Sequence, residues 1–134
     1  MAFKFEKLEV WNEALDYSDR VESIARSLPS LERFNLADQL RRAATSIALN
    51  IAEGSTGQSD AEQSRFLSYA IRSLIETVAC LHLIRRRGYL EDLETLREAY
   101  AHAERLLRQL TAFRRSLGGR FRDPSVPYDS GPPE

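Results

Sequence analysis

The chain has 134 residues, 19 of them basic and 20 acidic, for a formal charge of −1. That length holds one domain and is short for two. A balance so close to neutral excludes a global field that would draw in nucleic acid or an anionic membrane, so any such partner needs a local patch.

Hydrophobic periodicity predicts four helices with short breaks between them. The first spans about 8–28, with Val10, Ala14, Tyr17, Val21, Ile24 and Leu28 spaced in fours and threes as one stripe. Leu8, Trp11 and Leu15 widen that stripe. Pro29 ends the segment, because proline donates no backbone bond and restricts the residue before it. The second helix starts after Asn35, where Asn35 and Asp38 resemble a capping box with the shorter Asp in place of Glu. Its stripe is Leu36, Leu40, Ala44, Ile47 and Ile51, and Gly54 and Gly57 stop it. Ser59 and Glu62 give the third helix a Ser-x-x-Glu start, with Asp60 favourable at the positive helix end. Arg85, Arg86, Arg87 and Gly88 give it a cationic last turn and a glycine stop. Glu91, Asp92 and Glu94 crowd the start of the fourth, whose expected stripe is Leu93, Leu96, Tyr100, Ala103, Leu107, Leu110 and Leu117. Gly118 and Gly119 close it.

Helices of about 20–28 residues are roughly 30–40 Å long, and short connections make neighbours antiparallel. The expected fold is an all-α, antiparallel up-down-up-down four-helix bundle over residues 1–117. Residues 118–134 follow as a Gly/Pro-rich C-terminal tail with Pro124, Pro127, Pro132 and Pro133, extended or disordered when isolated. Cys80 is the single cysteine, which forbids an internal disulfide and suits a reducing compartment. Residues 1–6 lack the apolar core of a signal peptide, and no uninterrupted apolar run approaches the roughly 20 residues of a membrane span. The expected location is the cytoplasm, without membrane contact.

The third helix is apolar on too many sides. Phe66, Ala70, Leu74, Thr77, Leu81 and Ile84 form its inner stripe, and Leu67, Ile71, Val78, Tyr69 and Cys80 flank it. Ile75, Ala79 and Leu83 then fall on the back, together with Ser68 and Arg72. A helix apolar nearly all round is usually buried all round, which one small bundle cannot achieve. Leu49 lies in the same way opposite the stripe of the second helix. Self-association through Leu49, Arg72, Ile75, Ala79 and Leu83 is the expectation, set against isolated exposed apolar residues that need no explanation.

Four stretches carry a family resemblance: residues 5–14 (FEKLEVWNEA), 39–54 (QLRRAATSIALNIAEG), 66–70 (FLSYA) and 73–76 (SLIE). The chain resembles the bacterial four-helix bundle family of proteins encoded in intervening sequences of large ribosomal RNA genes. The accessory variability proteins of diversity-generating retroelements are similar to that family. The resemblance covers roughly residues 5–117. It implies a homopentamer ringed around a central channel and no enzymatic activity. For the retroelement proteins it further implies binding of nucleic acid and of a reverse transcriptase. Arg72 stands where the family often carries glycine, and the neutral charge departs from the basic character of nucleic-acid-binding relatives.

Gln39, Arg42, Ser46, Asn50 and Glu53 share one stripe of the second helix beside its apolar face. They read as a polar network at a subunit contact or channel wall, or as bonds that fix helix register. Lys4, Lys7, Arg114, Arg115, Arg120 and Arg122 fall at one end of the bundle with Phe113 and Phe121 interleaved. Ring symmetry would repeat them around a rim able to hold phosphates; the plainer reading is ordinary helix C-terminal charge and a solvated tail. Neither His82 nor His102 has Glu three residues before it, as di-iron bundles require, and no zinc-ligand spacing or phosphate loop is present. No catalytic residue, metal or cofactor is therefore expected. The leading function is a non-enzymatic homo-oligomeric adaptor for RNA or DNA, with a reverse transcriptase as the expected protein partner. The competing one is a purely structural or protein-binding ring.

Overall fold

The computed structural model describes residues 2–57 and 59–118. Its four long helices are α1 (Glu9–Arg26), α2 (Leu36–Gly54), α3 (Asp60–Arg86) and α4 (Leu93–Leu117). Short 3-10 turns at Lys4–Lys7 and Ser30–Glu32 precede α1 and α2. Each helix packs against its neighbour in sequence, and α4 closes back on α1. That is the antiparallel four-helix arrangement, with no strand among the described residues.

The stripes of α1 and α2 are buried as the spacing predicts, from Val10 to Leu28 and from Leu36 to Ile51. Two glycines do local work. A Cβ on Gly54 would lie 2.8 Å from Phe66 Cβ and 3.3 Å from the Gln63 carbonyl oxygen, so the last residue of α2 lets α3 approach closely. Gly88 turns the chain out of α3 at φ +67, a conformation that costs other residues a Cβ clash. Ser59 Oγ accepts from the Glu62 amide at 3.0 Å, which is one half of the expected Ser-x-x-Glu box, and Asp92 caps α4 by accepting from the Glu94 amide at 3.0 Å, where only favourable acidic charge was expected. The Glu62 carboxylate pairs with Arg65.

Several expectations are corrected. Asn35 does not cap α2 with its side chain; the Glu32 carboxylate takes that place, for reasons given below. Asp38 pairs with Arg42 instead of closing a capping box. The helix α1 stops at Arg26, before Pro29, because Ser27 and Leu28 already turn back onto Ile24 and Ala25. Ser68 is not on the exposed back of α3: it is buried and bonds to the Ser64 carbonyl. On α4 the buried set is Leu96, Ala99, His102, Ala103, Leu106, Leu110 and Leu117. Leu93, Tyr100 and Leu107 are instead 37%, 43% and 38% exposed. They recur every seven residues, whereas a straight helix turns in 3.6, so they run along the edge of the buried face. By length and composition α3 also holds one stretch apolar enough to cross a membrane, and half of that stretch is buried inside the bundle. Arg72 and Glu76 interrupt that stretch, so it is not an uninterrupted apolar run.

Candidate functional site

The outer sides of α2 and α3 carry most of the expected interface and network residues. Leu49 is 63% exposed, and Arg72, Ala79 and Leu83 are exposed on the back of α3. The Arg72 guanidinium lies 5.8 Å from the Tyr69 ring centroid, a cation–π geometry on the same surface. Ile75, 56% exposed, stands apart from them: it lines a groove between α3 and α4 with Tyr100 and Leu107.

The polar stripe of α2 is a smaller network than its spacing implies. Asn50 Nδ2 donates to the Ser46 carbonyl at 2.8 Å and to Ser46 Oγ at 2.9 Å. Ser73 Oγ of α3 donates to Ser46 Oγ at 2.9 Å, so Ser46 joins the two helices. Arg42 turns to Asp38 at 3.1 Å, and Gln39 and Glu53 are exposed. Ser46, Asn50 and Ser73 therefore fix register along the seam, and Leu49 sits beside them in a shallow depression with Arg42 and Glu53.

The end of the bundle that carries the chain's N-terminal turn brings part of the basic cluster together. Lys4 and Lys7 are exposed on the 3-10 turn, which packs against α1 and α2. Arg114 and Arg115 lie in the last turn of α4. Arg114 is half-buried and its Nη1 donates to Ser68 Oγ at 3.4 Å, so it is drawn inward, while Arg115 is exposed. Arg120 and Arg122 lie outside the described residues.

Two ionisable side chains, Glu32 and His102, are held inside the fold by contacts distant in sequence. Glu32 is 3% exposed. Its Oε1 accepts from Asn35 Nδ2 at 2.9 Å and from the Leu36 amide at 3.3 Å. Its Oε2 accepts from Tyr89 Oη at 2.7 Å and Arg87 Nη1 at 3.4 Å. One carboxylate thus caps α2 and ties the α1–α2 turn to the α3–α4 turn. The Tyr89 hydrogen bond, aided by the Leu36 amide, Asn35 and Arg87, holds the Glu32 carboxyl below its ordinary value of 4.5. A lowered folded pKa gives stability that is present above the ordinary value and is lost as pH falls through the folded one. Glu32→Gln is therefore expected to melt below the native chain at pH 7, with the gap narrowing as pH falls below about 4.5. Thermal melts across that range check it; a gap independent of pH would contradict it.

His102 is the second such group, 4% exposed between α1 and α4. Arg20 Nε donates to its Nδ1 at 3.2 Å, so Nε2 carries the ring proton toward Glu13 Oε1 at 3.2 Å. Arg20 also reaches Glu98 at 3.6 Å. These bonds satisfy a polar side chain at a buried position and bind α1 to α4. The lone Cys80 is buried, and burial pushes its thiol upward, away from the reactive thiolate. No group of three His, Cys, Asp or Glu that could hold a metal occurs among the described residues.

Bundle and surfaces together define an all-helical module whose basic groups and unburied apolar side chains lie on its outside. Residues 6–112 match the family described as 23S rRNA-intervening sequence protein, and the chain belongs to that family. Its fold is similar to the crystal structure of a protein of unknown function from the S23 ribosomal protein family of Bacteroides thetaiotaomicron VPI-5482. The identity is 24% and the TM-score 0.72, over 79% of this chain and 98% of that one. Comparison with curated proteins finds no match.

Proposed function

We propose that the chain is a non-enzymatic adaptor subunit that assembles with copies of itself and offers a basic end to RNA or DNA. The observation that carries this reading is the pair of leucines, Leu49 at 63% and Leu83 at 40% exposure, on the outer face of α2 and α3. A second copy is the simplest cover for these exposed leucines. The family resemblance supports a homopentameric ring, in which Lys4, Lys7 and Arg115 repeat around one rim. Resemblance to retroelement accessory proteins supports a reverse transcriptase as a protein partner. The formal charge of −1 favours a second reading, a purely structural or protein-binding ring.

Anisotropy titrations with labelled single-stranded and duplex RNA and DNA separate the two. The first reading expects binding at low salt that weakens as salt rises. Alanine at Lys4, Lys7 and Arg115 together lowers the slope of log affinity against log salt by about 2–3. No binding at low salt removes the nucleic-acid role and leaves the protein-binding ring.

A further inference from the structure

A second set of unburied apolar side chains lies between α3 and α4, away from Leu49. Two hollows follow one another there. The first, of about 240 Å³, has the buried Leu81 and Leu96 as its floor and the partly exposed Leu93 as a wall. His82 and Arg85 stand at its edge. The second, of about 190 Å³, is lined by Ile75, Val78, Glu104 and Leu107 among others. Tyr100 borders both, and its ring meets His82 edge-on at 6.1 Å. The two hollows therefore form one elongated groove from Leu93 to Leu107, roughly 21 Å along α4 at ~1.5 Å per residue.

The groove is polar only near its ends. Arg85 and Arg97 lie at the end near the start of α4. Arg97 is already matched by Glu94 at 3.5 Å. Arg85 is exposed and has no acidic partner among the described residues, so its charge is the one left open. Glu104 is the acid of the other hollow. Leucine, isoleucine, valine and tyrosine side chains lie between them. Sites for small ligands have this composition, an apolar concavity with a few placed polar groups. Hollows of this volume hold a chain of atoms; a helix, about 10 Å across, would rest on the edges. The occupant that matches is narrow, apolar along its length and anionic at one end. Arginine pairs with a carboxylate through two parallel N–H bonds, and Glu104 repels that group from the far end. We propose that the α3–α4 groove binds a medium-chain alkyl carboxylate, its head group on Arg85 beside His82 and its chain running past Tyr100 toward Leu107.

The test is isothermal titration calorimetry on the full-length chain with hexanoate, octanoate and decanoate, each below its micellar concentration. Octanol and octylamine serve as head-group controls. The expected result is one carboxylate per chain, with affinity rising up to about fourfold per added methylene, the ratio given by burial of ~0.8 kcal/mol per CH₂. Octanol and octylamine should bind at least tenfold more weakly than octanoate. Arg85→Glu should weaken octanoate at least tenfold, and Leu107→Glu should weaken decanoate more than hexanoate. Both positions are exposed, and circular dichroism verifies that the bundle is intact. Absence of binding, several carboxylates per chain, affinity flat with chain length, equal binding of the three head groups or indifference to Arg85→Glu would overturn the proposal. Leu49 and Leu83 do not line the groove. The Leu49→Glu, Leu83→Glu variant should therefore bind octanoate as the native chain does, so this proposal and self-assembly fail separately.

Discussion

Tyr17→Ala is expected to destabilise the bundle by about 3–5 kcal/mol, the range for deleting a fully buried aromatic side chain. That is a large share of the roughly 5–15 kcal/mol that holds a typical domain together. Tyr17 has no exposed surface and packs edge-on against His102, with ring centroids 5.4 Å apart. Its Oη lies 2.8 Å from Thr77 Oγ1, and Thr77 in turn donates to the Leu74 carbonyl at 2.6 Å. Thr77 has therefore spent its proton, and Tyr17 is the donor. The bond crosses the bundle diagonally from α1 to α3, helices whose backbones do not otherwise meet. Tyr17→Phe keeps the ring and leaves Thr77 its donor bond, so it should cost only about 0.5–1.5 kcal/mol.

The same hydroxyl adds an alkaline signature. Burial raises the Tyr17 pKa from 10.0 to about 12. A raised folded pKa means stability that is complete below pH 10 and falls as pH rises toward 12. The loss in the native chain should reach about 2–3 kcal/mol, and Tyr17→Phe should not show this part of it. Urea unfolding of the three proteins at pH 7 and above pH 10 measures both effects. A Tyr17→Ala cost below about 1 kcal/mol would contradict the packing described.

What could be read from the sequence divides along physical lines. Stripes on α1 and α2 were legible because a 3.6-residue period with strong apolar contrast admits one buried face. The cap at Ser59 was legible for the same kind of reason: it is a contact between residues three apart. The missed features depend on contacts distant in sequence. Glu32 lies between Leu31 and Phe34, which are 74% and 86% exposed while the carboxylate is buried. The usual inside–outside rule is inverted there because the 3-10 turn aims Glu32 at Tyr89 and Arg87, more than fifty positions away. An acidic residue just ahead of α2 was the available signal, but Asn35 is the stronger capping residue type. His102 was weighed only as a metal ligand, and its structural role was not legible because its partners, Arg20 and Glu13, lie on α1. The candidate surfaces were legible as residue types but not as groupings. Helical spacing placed Ile75 with Leu83, whereas the packing of α4 against α3 draws Ile75 into the other groove.

The largest expected effect on assembly comes from the outer face of α2 and α3. Burying a leucine contributes about 1.5–3 kcal/mol, so Leu49 and Leu83 together contribute about 3–6 kcal/mol to each contact they enter. Replacing both with glutamate should weaken that contact at least a hundredfold, and desolvating the new carboxylates adds to the loss. Both positions are exposed in the single bundle, so the fold of each subunit should survive. Sedimentation equilibrium at micromolar concentration tests the central claim, that this bundle is a subunit. The native chain should sediment at a multiple of 15.3 kDa, fivefold for the ring, and the Leu49→Glu, Leu83→Glu variant at one. A native chain that stays at the single-chain mass across that range would contradict the claim.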